Sequence, residues 1–240
     1  MEGRETTLIG GRITEGVIRV GDTVRRPAGP HTPFIHSLLH HLEDVGFDGA
    51  PRVLGIDTEN REVLTFIEGY VPPDLATWSE EQLARAAILI RRFHDATAGS
   101  PLAGKEEVVC HNDLSPCNTV FVEGMPSAFI DFDTASPGLR DRDLGYALWM
   151  FLDLGPDGVD TSTQGRRIRM MCDAYGFVGQ GDPISAISRS QHMTLERSQA
   201  RMRAGGSASR VAYARESVEW IRSEIAWFGA HRDELEAAMG

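Results

Sequence analysis

The segment YVPPDL, Tyr70 to Leu75, constrains the fold most, because the pattern of the chain changes across it. Consecutive prolines lack backbone donors and fix φ, so they favour an extended connection over helix or central strand. Before the segment, GVIRVGDTVRR alternates apolar and polar residues on both sides of Gly21-Asp22, a hairpin signal. Thr32 reads as an N-cap with Pro33 at the first helical position, and Phe34, Ile35, Leu38, Leu39, Leu42 and Val45 follow at helical spacing up to Gly46. Val63 to Ile67 reads as a buried strand. After the segment, Ser79 with Gln82 forms a capping box for a helix carrying Leu83, Ala86, Ala87, Ile90 and Phe93 on one face and ending near Gly99. Thr119 to Val122 and Ala128 to Ile130 are short strand candidates around an EGMP turn. From Asp143 onward the pattern is helical, with breaks at 155–156, 179–183 and 205–206. The expectation is an α+β chain of two lobes, a small β-rich one over 1–69 and a larger, mainly helical one over 70–240.

Charge narrows the partners. A net charge of −11 disfavours a nucleic-acid backbone, which is bound by clustered basic residues. No run is long enough to span a bilayer, and Met1 to Gly10 has mixed charge without an apolar core. The expected location is therefore the cytoplasm, with Cys110, Cys117 and Cys172 reduced. No protein partner is evident. Residues 157–240 carry as many basic as acidic residues, including Arg197, Arg201 and Arg203, which does not suggest a strongly acidic cleft for a polycation. The chain has one lysine, Lys105, so a mechanism needing lysine must use that one or an arginine in its place.

The densest chemistry is VVCHNDLSPCNTVF, Val108 to Phe121. A zinc site on Cys110, His111 and Cys117 matches none of the usual ligand spacings. His36 and His40 share a helical face but lack the glutamate of a zinc-protease motif. GSPLAGKE, Gly99 to Glu106, begins like a phosphate-binding loop and fails at Glu106, where Ser or Thr should bind magnesium. Phosphoryl transfer fits better. It needs a carboxylate to orient a hydroxyl and hard oxygens to hold magnesium on phosphates. Asp113 can be the carboxylate, and Asn118, five residues on, can offer an amide oxygen. Asp131, in AFIDFD, can return beside them through the EGMP hairpin, with His111 supporting the loop by hydrogen bonding.

HNDLSPCN, then FIDFD, then DRDLGYALW resembles the aminoglycoside phosphotransferase and choline kinase group of small-molecule kinases, related in fold to protein kinases. The strong match covers Val108 to Trp149. The resemblance implies a bilobal protein-kinase-like fold and transfer of a γ-phosphoryl group from magnesium-bound ATP or GTP to the hydroxyl of a small molecule, with an aminoglycoside or other antibiotic among the acceptors. Asp113 would be the catalytic base, Asn118 and Asp131 magnesium ligands with Asp133 assisting, and Asp143 an anchor for the loop. Gly11 to Thr14 would cover the phosphates, and the backbone of Thr65 and Ile67 would meet the nucleotide base. The family's phosphate-gripping lysine is missing. The strand reads TVRRP, so Arg25, or less favourably Arg26, would stand in, and the following helix offers Ile35-His36 where its paired glutamate would be sought. That departure keeps open a pseudokinase-like binding module without turnover. A protein kinase is disfavoured, because only a short segment separates Phe132 from Asp143 and no A-P-E follows.

Overall fold

The computed structural model describes residues 5–7, 16–177 and 181–240. The chain divides into two compact units, one of residues 1–74 with 92–138 and the other of 75–91 with 139–240.

In the first unit an antiparallel five-stranded sheet runs in the order β1-β2-β3-β5-β4, from β1 Glu5–Thr7, β2 Ile18–Val20, β3 Thr23–Pro27, β4 Val53–Ile56 and β5 Arg61–Thr65. The β2–β3 hairpin turns at Gly21-Asp22, where Gly21 takes φ +60, which accounts for a glycine there. Helix α1, Thr32–Asp44, buries Ile35, Leu38, Leu39 and Leu42. Its N-cap is His31, not Thr32, because Thr32 Oγ1 accepts from the Gly29 backbone N–H and the helix is already under way. Strand β5 ends at Thr65, two residues before the sequence pattern does. The Phe66 N–H there donates to Asp22 O at 2.8 Å, outside the β3–β5 ladder.

The chain leaving β5 is clamped. Tyr70 and Phe121 exchange backbone hydrogen bonds of 2.9 and 2.7 Å, and a Cβ on Gly69 would lie 2.5 Å from Val120 Cγ1 and 2.7 Å from Phe121 O. Only glycine allows that approach. Helix α2, Glu80–Thr97, opens with the expected capping box: Gln82 N–H donates to Ser79 Oγ, and Ser79 N–H donates to Gln82 Oε1. Short pairs complete the unit. Strand β6, Val108–Cys110, pairs with β9, Ser136–Gly138, and β7, Thr119–Val122, with β8, Met125–Phe129. β8 starts earlier than the sequence pattern suggests, because positive φ at both Glu123 and Gly124 makes a two-residue turn and returns Met125 and Pro126 to the ladder.

The second unit is helical: α3 Arg140–Leu152, α4 Thr161–Tyr175, α5 Pro183–Ala204, α6 Ala208–Ala230 and α7 Arg232–Met239. Helix α3 starts three residues before the expected Asp143. Glycines bring helices close; a Cβ on Gly145 of α3 would lie 2.4 Å from Ala186 O of α5. Trp149 of α3 is buried, stacks on Trp220 of α6 at 5.1 Å between ring centres, and donates its indole N–H to Glu224 Oε2 at 3.2 Å. Among the described residues no helix is long and apolar enough to cross a membrane.

Candidate active site

After β6 the chain must turn sharply, and Asn112 does this in the left-handed region at φ +66, a conformation that asparagine tolerates better than most residues. Its side chain pins two loops together. Asn112 Nδ2 donates to Thr134 O at 2.8 Å and to Ser136 Oγ at 3.0 Å, while Thr134 Oγ1 donates to His111 O at 2.8 Å. His111 is fully buried, its Nε2 is 3.1 Å from Ile130 O, and its ring packs 4.5 Å from that of Phe132. His111 therefore holds the loop from behind, surrounded by Phe93, Phe129 and Phe132.

This framework sets out the polar groups. Asn118 Nδ2 donates to Asp113 Oδ2 at 2.9 Å and to Asp113 O at 3.0 Å, so the amide fixes the orientation of the carboxylate. With its nitrogen spent on Asp113, Asn118 has Oδ1 left to offer a cation. The Asn118 carbonyl accepts from Ile130 N–H at 2.9 Å, which ties this loop to the AFIDFD strand end. There Asp131 adopts φ +63 and ψ +60, and a tight turn over Phe132–Thr134 buries Phe132 and leaves Asp131 and Asp133 partly exposed.

The arginine that reaches these carboxylates is Arg26, not Arg25. Side chains alternate along β3, so neighbouring arginines face opposite sides of the sheet. Arg25 points toward Asp57, with 3.7 Å between Nη1 and Oδ2, and its Nε is buried without a hydrogen-bond partner among the described residues. Arg26 donates through Nε to Glu62 Oε2 at 2.7 Å and lies 3.3 Å from Asp131 Oδ1 through Nη1. Its Nη2 reaches Asp133 Oδ1. Glu62 is its direct register partner on β5 and is buried. His36 Nε2 of α1 lies 3.1 Å from the other oxygen, Glu62 Oε1, without hydrogen-bond direction. The acid that pairs with Arg26 thus comes from the neighbouring strand, while the helix contributes His36. The β3–β5 register was the signal for Glu62, and it is not visible in one strand alone. Asn112 was also missed, although a residue between the histidine and aspartate of such a loop must turn the chain.

Other candidates are placed differently. The Thr65 N–H is committed to Arg52 O at 2.9 Å, while Ile67 makes no backbone hydrogen bond among the described residues. Gly11 and Thr14 lie outside the described residues. Asp143 is fully buried in α3. Cys110 is buried in β6, and Cys172 lies in α4 with its thiol pushed up to about 12 by burial.

Among the described residues no three His, Cys, Asp or Glu side chains gather as a metal cage. Asn118, Asp131 and Asp133 are instead a partial set of hard oxygen donors, the type magnesium takes together with substrate phosphates. A cationic guanidinium already lies against both carboxylates, so these residues fit a divalent cation.

The model of the phosphotransferase enzyme family matches residues 35–178. The chain belongs to this family. It is 33% identical over 257 residues to the trifolitoxin immunity protein of Rhizobium leguminosarum bv. trifolii, an alignment covering 96% of each protein. Among solved structures it is similar to spectinomycin phosphotransferase APH(9)-Ia bound to ADP and spectinomycin, with TM-score 0.66, 12% identity and coverage of 95% of this chain and 92% of that one. It is also similar to a choline/ethanolamine kinase family protein from Mesorhizobium loti, with TM-score 0.56, 17% identity and coverage of 99% and 92%. These likenesses establish the kinase-like fold of this family member.

Proposed function

We propose that the chain transfers the γ-phosphoryl group of magnesium-bound ATP or GTP to a hydroxyl of a toxic small molecule and thereby protects the cell that makes it. The observation that carries this reading is the Asp113–Asn118 pair, joined at 2.9 Å and tied through Ile130 to the loop of Asp131 and Asp133. Family membership supports phosphoryl transfer, and the relative named as a trifolitoxin immunity protein supports a toxin as acceptor. We assign residues 1–69 to the nucleotide and the helices of 70–240 to acceptor choice. The cytoplasm, which supplies the nucleotide, is the proposed compartment.

In this reading the acceptor oxygen bonds to the γ-phosphorus as the bond to the β,γ-bridging oxygen breaks, and the nucleoside diphosphate leaves. Asp113 orients the acceptor hydroxyl and accepts its proton, with Asn118 fixing the carboxylate in place. Phosphoryl transfer draws mostly on positioning and electrostatics. Magnesium, when bound, neutralises the charge that builds on the phosphate oxygens. Asn118 Oδ1 and Asp131 would hold it, with Asp133 assisting. Arg26 would grip the phosphates with a charge it cannot lose.

A nucleotide-binding module without turnover is favoured by one observation, Arg26 lying across carboxylates that a metal would need. Tracking label from the γ-phosphate of ATP and GTP into aminoglycosides, other hydroxylated antibiotics, peptide toxins, choline and sugars decides between them. A labelled acceptor supports the transferase. Nucleotide binding without transfer to any of these or to water supports the module.

A further inference from the structure

The ion network around Arg26 has two unlike ends. At one end Glu62 is 1% exposed and paired to Arg26 by the β3–β5 register, with a 2.7 Å hydrogen bond to Nε. His36 closes the other side of Glu62 at 3.1 Å. At the other end, the terminal nitrogens of the same guanidinium meet Asp131 and Asp133, whose side chains are 42% and 37% exposed. The buried end is costly to break, because it would strand a charged group away from water. The exposed end is cheap to break, because water can replace the partner. The two aspartates, two residues apart on one tight turn, repel each other unless a cation lies between them.

A divalent cation and the guanidinium compete for those oxygens. Nucleotide phosphates resolve the competition, because they give Arg26 an equally anionic, bidentate partner. We infer that Arg26 is an exchangeable clamp: in the nucleotide-free protein it neutralises Asp131 and Asp133, and it passes to the phosphates, pivoting on Glu62, when nucleotide and metal enter. The inference rests on the metal- and nucleotide-binding reading of the site proposed above. Its consequence is linkage. Metal alone binds poorly, metal and nucleotide strengthen each other, and the coupling is the same whichever is added first.

The test uses the full chain, with Mn2+ as probe followed by electron paramagnetic resonance, and ADP binding followed by calorimetry. Wild type should bind Mn2+ weakly alone and about tenfold or more tightly with ADP present. Arg26→Met should bind Mn2+ alone about tenfold more tightly than wild type. The same variant should bind ADP about tenfold or more weakly, since its charge-assisted bonds to phosphate are gone. Arg26→Met leaves Glu62 buried beside His36, so Arg26→Met/Glu62→Gln is made in parallel to remove that charge. Arg26→Lys keeps folding charge at Glu62 but cannot fork across two carboxylates, so it should also bind Mn2+ severalfold more tightly. Unchanged or weaker Mn2+ binding in every folded variant overturns the clamp. If wild type binds no nucleotide with or without metal, the functional reading itself fails; if it binds nucleotide while the variants leave Mn2+ affinity unchanged, only the clamp fails.

Discussion

Glu224 offers a test of how the helical unit is built. It is 4% exposed, accepts a hydrogen bond from Trp149 Nε1 and faces Asp153 and Asp157. No extra atom fits beside it, since a Cβ on Gly155 would lie 2.2 Å from Oε2. Burial, reinforced by the two aspartates and opposed by the Trp149 hydrogen bond, pushes its carboxyl from an ordinary 4.5 up to about 7. A group whose folded value is raised stabilises the protein fully below its unfolded value and loses that contribution as pH rises through the folded value. Stability should therefore fall between pH 4.5 and about 7, and at about 1.4 kcal/mol per unit the loss is about 3 kcal/mol. Asp153, also raised by burial and by Asp157, adds a loss of the same sign. Glu224→Gln keeps the acceptor for Trp149 and removes the charge. Thermal unfolding by circular dichroism should find the two proteins equal near pH 5. Near pH 8.5 the variant should be more stable by about 2–3 kcal/mol, or about 5–10 °C in a chain of this size. A variant less stable than wild type at pH 8.5 refutes the reasoning, because it means that the carboxylate is ionised and favourably paired.

Other substitutions test the turns and caps that shape the fold. Asn112→Ala should cost about 2 kcal/mol, from the lost bonds to Thr134 and Ser136 and the left-handed backbone at φ +66, measured by urea unfolding. Gly69→Ala should destabilise by about 1–3 kcal/mol through its clash with Val120 and Phe121, an effect that Val120→Ala should partly relieve in the double variant. Ser79→Ala should cost about 1 kcal/mol by opening the capping box of α2, with the loss read from thermal unfolding.

Much of this architecture is legible in the chain itself. Hairpin, helix and capping signals are local, and Ser79-Gln82 and Gly21-Asp22 sit where the sequence places them. Asp113, Asn118 and Asp131 are brought together because spacing within one loop and one hairpin fixes their neighbours. Less legible are pairings between distant segments and one unadvertised turn. Arg25 and Arg26 are equivalent in sequence, and only the face of β3 that turns toward Glu62 and α1 selects Arg26. Strand β9 is not legible in the chain, because SPG carries no strand pattern and is recruited by β6. The early start of β8 follows from positive φ at Glu123, which a non-glycine residue does not advertise.

The role proposed for Asp113 is in transfer and not in nucleotide binding. Transfer of γ-phosphate label should be followed for wild type and Asp113→Asn with the acceptor that gives the strongest signal, and nucleotide affinity measured on the same samples. Transfer should fall about a thousandfold in Asp113→Asn, with nucleotide affinity unchanged within a few-fold. Transfer by Asp113→Asn at the wild-type rate contradicts that role.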